Sequence, residues 1–516
     1  MASEYIPEKQ VTPTGPEEGV PTQTGYVQEV KRNFSPTAIL ATRVSLMATW
    51  EALCSTMATG LINVGPASLV YGAVIAFLGS LCSAMSLAEL ASIHPTAGGQ
   101  YHFVAHLSSG RRGPVHSWFA GYITTLGWVA LAGSAPFLAG TQIQGLLIFN
   151  YPDSYTSERW HGTMLYWAIL LGSALVCIFC SNVLPLLEKI TMALHVGFYL
   201  IILIIMAVVS PTKHPASFVF ATFGNNFGWS NDGIAWCIDL LSCCYVLMGY
   251  DGATHLSEEM ENADIGVPRA MVGWVVINGA LGFTFLITLL FCMGDIESAL
   301  SSPTGFPIIQ IFYNITGTLA ATNALTAALT IMAIISTIPL ITSAARVIWA
   351  FARDQGLPFS QVVSRVERKR GIPTVAIIVT TCLLVLLGLI SIIGSTTAFN
   401  AILSLAVVSL QASYLFPIIL VLWRRIVCPE TLVWGPWRLG RIGVVVNVIA
   451  VCYLVFTCVF LILPPFQPVT ALNMNYAPVV LGAALLFGTS YWLLRATKRY
   501  VGPLTELHVM NGRVPA

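Results

Sequence analysis

Twelve apolar stretches, each near the length that spans a bilayer, run through this chain, with most charged residues in the gaps between them. Crossing the roughly 30 Å of hydrocarbon in a membrane takes about 20 residues of α-helix. In that medium every backbone N–H and C=O must be satisfied within the chain, so runs of this length fold as helices. The stretches centre on residues 40–64, 68–93, 116–142, 163–182, 188–210, 233–257, 269–293, 318–352, 373–394, 397–424, 442–464 and 476–495. The first, sixth and eighth are less uniformly apolar than the others.

A soluble domain carries about 25% charged residues; this chain has 9%, against 56% hydrophobic and a mean hydropathy of +0.77. The net charge of +1 and the lack of a basic stripe argue against a nucleic-acid partner. No polar stretch is long enough to fold alone. The expected organisation is a disordered cytoplasmic tail over 1–34, one transmembrane domain over 35–496 and a short cytoplasmic tail over 497–516. Most of the 12 cysteines sit inside apolar runs, so no structural disulfide is expected.

Lysine and arginine set the orientation. With the N-terminus cytoplasmic, the outer loops hold only Arg159 and Lys213 of the 24 basic residues, while the inner loops collect the rest of the loop arginines. This satisfies the positive-inside rule with both termini inside, which requires an even helix count. Asn314-Ile315-Thr316 is a glycosylation sequon on the outer side.

Two helices carry polar breaks. Helix 6 contains Gly249, Tyr250, Asp251, Gly252 and Thr254; helix 1 contains Ser55, Thr56, Thr59 and Gly60 about midway along its span. Each opens a five-helix unit, 1 to 5 and 6 to 10. Glycine-interrupted spans at matching places in two halves point to a solute site between inverted repeats. An unwound helix offers its N–H end to a carboxylate and its carbonyl end to an amine. Close packing of small residues is the plainer explanation for helix 1 alone. An ionisable group at membrane depth, as at Asp251, is costly unless used or paired. The expected binding residues are therefore Ser55, Thr56, Thr59, Gly60, Gly249, Tyr250, Asp251 and Gly252, with the Tyr250 ring able to face an ammonium group.

Three motifs resemble one family. Ala88-Glu89-Leu90-Ala91-Ser92 with Pro95-Thr96-Ala97-Gly98-Gly99-Gln100-Tyr101 is similar to the loop after helix 2 in amino acid permeases. Tyr250 to Glu259 with Pro268-Arg269-Ala270-Met271 resembles their helix 6 and its following loop. Ser343-Ala344-Ala345-Arg346 with Trp349 to Pro358 resembles the end of their helix 8. The chain thus looks like the fungal amino acid/choline transporter branch of the amino acid–polyamine–organocation superfamily, which includes GABA permeases. The resemblance implies an all-α membrane fold of about twelve helices. It comprises a five-plus-five inverted repeat with discontinuous helices 1 and 6, plus two extra helices. It also implies secondary, proton-driven transport of an amino acid, GABA, choline or related amine held between helices 1, 3, 6, 8 and 10.

In bacterial relatives a lysine at what looks like the position of His195 fills the place of a coupling ion. A histidine there can take and release a proton in each cycle; Glu51 and Asp239, carboxylates within spans, are the other candidates for proton coupling or amine recognition. Glu258, Glu259, Arg269 and Arg353 lie where a cytoplasmic gate would close. His102 and His106 are four apart, but no acid or cysteine joins them at metal-ligand spacing. No nucleophile–base cluster or phosphate loop suggests an enzyme, and no cofactor is expected. A nutrient sensor or an exporter is the alternative to an importing permease. The tails are short for a signalling partner. The plasma membrane is the expected location, with the vacuole or another internal membrane as the alternative.

Overall fold

The computed structural model describes residues 47–503 apart from 109–111, 261, 368–369, 390–394 and 472; the side chains of 58, 59, 62, 63 and 395–399 are also undescribed. The expected tail over 1–34, and the C-terminal residues from 504 onward, lie outside the described residues.

Each of the twelve apolar stretches carries helix: α1 (Thr49–Asn63), α2 (Pro66–Ile93), α3 (Gly113–Asn150), α4 (Arg159–Phe179), α5 (Leu184–Val209), α6 in three pieces (Asp232–Asp239, Leu241–Tyr245 and Gly252–His255), α7 (Ala263–Cys292), α8 (Leu319–Arg353), α9 (Thr374–Gly388), α10 (Ser395–Val427), α11 (Gly443–Phe460) and α12 (Ala477–Leu494). Among the described residues, nine helices are long and apolar enough to cross a membrane. The others are α1, α9 and the interrupted α6. Prolines near the starts of α2, α3, α5 and α12 fit helix N-termini, where the missing N–H has no helical partner to lose. The α1–α2 turn is made by Gly65 at φ +89°; a Cβ there would stand 2.9 Å from the Thr222 carbonyl.

Corresponding members of the two five-helix units pack directly on one another: α1 with α6, α2 with α7, α3 with α8 and α4 with α9. The long helices α3, α8 and α10 are mostly enclosed, whereas α5 and α12 turn most of their surface outward. Leu175, Val208, Leu386 and Leu486 are exposed on the periphery. An apolar surface of that kind is unfavourable in water and ordinary in lipid. Because the helices alternate in direction, Arg353, Arg424, Arg425, Arg438 and Arg441 gather near one end of the bundle, the basic face; Arg159 begins α4 at the other.

Helix 1 is interrupted at a place the sequence did not indicate. Hydrogen bonding runs unbroken from Thr49 to Asn63, through Ser55–Gly60, and the break falls at Ala48, in the left-handed conformation at φ 42°. The hydroxyls explain the difference. Thr56 donates to the Ala52 carbonyl at 3.0 Å, so its polar group is satisfied within the helix instead of opening it. Thr59 lies on the same helix, its side chain outside the described residues.

Candidate functional site

The break in α6 spans Val246–Asp251, between the pieces Leu241–Tyr245 and Gly252–His255. Gly249, at φ +92°, supplies the conformation that ends helical bonding there. The two helix breaks meet: Thr49, next to Ala48, donates its hydroxyl to the freed Val246 carbonyl at 2.7 Å. One interruption thus supplies a partner to the other, as buried backbone requires.

Asp251 closes the segment. Its buried carboxylate accepts from Gln100 Nε2 at 2.6 Å, from Trp128 Nε1 of α3 at 2.9 Å and from Tyr414 Oη of α10 at 2.6 Å, with His255 Nε2 at 3.3 Å. Charge-assisted bonds of this kind are the strong ones. They tie the broken helix to three other elements. The Tyr250 ring packs on Tyr414 with centroids 5.0 Å apart and is buried.

A cavity of about 320 Å³ opens toward the face opposite the arginines. Its floor is formed by Ser55 and Thr56 of α1, Asp239 and Ser242 of α6, and Ser404 of α10. Outer-loop residues such as Phe227, Phe306 and Phe466 border its mouth. Of the expected binding residues, Ser55 and Thr56 line this cavity. Gly60 lies at its edge, where an added Cβ would stand 2.8 and 3.1 Å from the Asp239 oxygens, so a glycine lets α1 approach that carboxylate. Gly249, Tyr250, Asp251 and Gly252 are not among the lining residues; they belong to the plug formed by the α6 break. Helices α1, α3, α6 and α10 contribute to the wall. α8, expected as a fifth, supports it from behind through Thr330, which donates to Gln142 at 3.2 Å, while Gln142 donates to Ser55 at 2.8 Å.

The expected coupling residues separate into two groups. His195 Nδ1 of α5 and Glu51 Oε1 of α1 are 2.6 Å apart and both buried; the second atoms, Glu51 Oε2 and His195 Nε2, have no partner among the described residues. Glu51 sits three residues beyond the Ala48 break. Asp239 is not part of this pair. It accepts from Ser68 at 3.2 Å and borders the cavity.

Ion pairs fasten the basic face. Arg353 bonds both oxygens of Glu258 at 2.9 and 2.7 Å, and Arg346 Nε meets Glu259 at 2.6 Å. Arg269, expected in this gate, is exposed, and no ion pair to it is formed among the described residues. Its neighbours Val267, Pro268, Ala270 and Met271 take the buried side of α7, which turns Arg269 outward. Arg346 takes its place. Two further clasps were not singled out in the sequence. Asp354 holds Tyr101 at 2.8 Å and His102 at 2.9 Å, and Glu89 pairs with Arg425 while accepting the Leu439 N–H at 2.8 Å. Of these residues, Asp354, Tyr101, His102 and Glu89 lie in or next to the motifs quoted above and Arg425 does not; the motif was legible, the pairing was not. Asn314, in the sequon, donates its amide to the Asp295 carbonyl and to Ser298, both at 3.1 Å. Attaching a glycan to that nitrogen would disturb both bonds.

The family model described as amino acid permease matches residues 34–485. A Macrophomina phaseolina protein, provisionally named an amino acid/polyamine transporter, is 35% identical over 433 residues, covering 84% of this chain and 95% of its own length. The choline transporter of Saccharomyces cerevisiae is 30% identical over 473 residues, covering 91% of this chain and 83% of its own. Amino-acid permease 2 of Neurospora crassa is 30% identical over 490 residues, covering 93% and 88%.

Proposed function

The chain belongs to the amino acid permease family, on the branch shared with fungal amino acid and choline transporters, and on that premise we propose that it is a proton-coupled importer working by alternating access. That it is a multi-pass membrane transporter for amino acids or amines, and not an enzyme, follows from the family. Coupling, direction and solute are the finer reading. One observation carries it: the central path is open to a cavity on one side of the α6 break and fastened by Asp251 and the arginine clasps on the other. With the basic face taken as cytoplasmic, this is the outward-facing half of a transport cycle.

The Glu51–His195 pair supports proton coupling. A carboxylate and an imidazole 2.6 Å apart in a dry site change their mutual attraction when a proton arrives or leaves. They join α5 to α1 close to the α1 break, so that change acts where α1 would hinge. Choline, GABA and amino acids all present a cationic nitrogen to the carboxylate and hydroxyls of the cavity floor.

The test is uptake of labelled choline, GABA and a panel of amino acids in yeast lacking its own carriers, with the protein at the plasma membrane. Accumulation that collapses with a protonophore is expected. Binding without accumulation of any solute would overturn the import reading in favour of a sensor or an exporter. Accumulation indifferent to the protonophore would remove proton coupling alone.

A further inference from the structure

Within the transport reading above, on which this inference rests, we propose that Asp239 is the cation anchor of the cavity and that the preferred solute is a small organic cation of net charge +1, in preference to a zwitterion or an anion. Asp239 is the one ionisable residue on the described lining; neither lysine, arginine nor histidine shares that surface. The residue is only 5% exposed. One oxygen lies 3.2 Å from the Ser68 hydroxyl, which also donates to the Gly65 carbonyl at 2.8 Å, and the other, Oδ1, has no partner among the described residues. A buried carboxylate with an unused oxygen and no compensating cation is costly by itself. A cation entering the cavity removes that cost.

The hydrogen-bonding polarity of the wall points the same way. Thr56 has given its hydroxyl proton to the Ala52 carbonyl, Ser242 its proton to the Thr56 carbonyl at 2.8 Å, and Thr141 its proton to the Phe137 carbonyl at 2.8 Å. The Gln144 amide nitrogen is committed to Ser157 and the Glu158 carbonyl. These groups face the cavity chiefly as acceptors. The α6 break could offer N–H groups to a substrate carboxylate, but its residues Gly249–Gly252 are absent from the lining. A solute carboxylate entering this cavity meets the like charge of Asp239, with the Ser55 and Ser157 hydroxyls, which accept from Gln142 and Gln144, left as donors, whereas an ammonium meets a charge partner and oxygen lone pairs.

The experiment uses the full chain, purified and reconstituted in proteoliposomes at pH 7. The probes are labelled choline and ethanolamine (both net +1), GABA (net zero) and glutamate (net −1). Choline or ethanolamine is expected to bind and accumulate, with GABA at least about tenfold weaker and glutamate weaker still. Asp239→Asn is expected to weaken cation binding by at least about tenfold, Asp239→Glu to retain part of it, and Ser68→Ala to change it by only a few fold; elution profile and melting temperature confirm that each variant folds. Choline and ethanolamine binding unchanged in Asp239→Asn overturns the anchor, and if proton dependence is lost in the same variant the residue belongs to coupling. Accumulation of GABA or glutamate in preference to the cations overturns the anchor and leaves transport standing. Failure of the wild-type protein to move any of the four probes, or the amino acids tested above, overturns both readings.

Discussion

At the open end of the central path the described walls are hydroxyls, amides and phenyl rings around one carboxylate, Asp239; at the shut end five carboxylates, Glu89, Asp251, Glu258, Glu259 and Asp354, are each held by a cation, a phenol or an indole. The difference is one of task. A solute must exchange with water on the open wall, which suits neutral groups and one unsatisfied charge. On the proposed alternating-access reading, a seal that opens in every cycle suits pairs that attract strongly when dry and are recovered by hydration when they part, because the desolvation cost of a buried pair offsets much of its Coulomb gain. An apolar seal of equal area would lack that recovery.

The comparison can be broken at its strongest bond network first. Asp251→Ala strips the acceptor shared by Gln100, Trp128 and Tyr414. Breaking a buried charged cluster costs on the order of 3–5 kcal/mol, so a marked fall in melting temperature in detergent and loss of uptake are expected, with Asp251→Asn partly retained. Wild-type melting and uptake in Asp251→Ala would mean that this carboxylate fastens nothing.

Next in size are Glu51→Gln and His195→Phe. Each should lower concentrative uptake driven by an imposed pH gradient by about tenfold, equivalent to about 1.4 kcal/mol. Counterflow exchange of solute should survive. Loss of exchange together with accumulation would show that the pair holds structure and does not carry coupling.

The clasps of the basic face come third. Glu258→Arg or Arg353→Glu alone should weaken the seal and raise the labelling of cysteines introduced behind it from that side; the double exchange should restore protection. A coupling of about 1–3 kcal/mol is expected for residues in direct contact. Additive effects of the two changes would reduce the pair to two independent surface charges.

The smallest effect concerns pH at the same face. His94 lies against His106, ring centroids 3.9 Å apart, and burial first, then the charges of His106 and His102, push its pKa from 6.5 down to about 3. The folded protein thus holds His94 neutral while the unfolded chain binds a proton below about pH 6.5. Stability therefore rises with pH between about 3 and 6.5 and is lost as pH falls through that window. The melting temperature should drop between pH 7.5 and 5.5, and His94→Gln should flatten the slope. An equal slope in the variant would assign it to other groups.

The apolar runs made most of the architecture readable, because lipid leaves a spanning backbone only one local solution and charge sets its direction. The α6 break was legible at Gly249 and Asp251 for the same reason: a carboxylate and a glycine there have no use in an uninterrupted span. In helix 1 the same style of reading put the break at Ser55–Gly60, because hydroxyls that bond back to their own helix look in sequence like hydroxyls that open it. Ala48 gives no local signal, and its left-handed conformation stands beside the contact of Thr49 with Val246, 197 residues away in the chain.

The sequence by itself determined that this is a helical membrane protein, how many apolar spans it has, which family it joins and which ionisable residues lie at depth. Only the tertiary structure decided which of those residues meet. His195 faces Glu51, Arg346 and not Arg269 completes the clasp, and Asp239 borders the cavity apart from the Glu51–His195 pair. Burial and period are properties of one helix, readable one residue at a time. Pairing depends on the rotation and approach of helices far apart in the chain, which glycines such as Gly60 permit and no local pattern encodes.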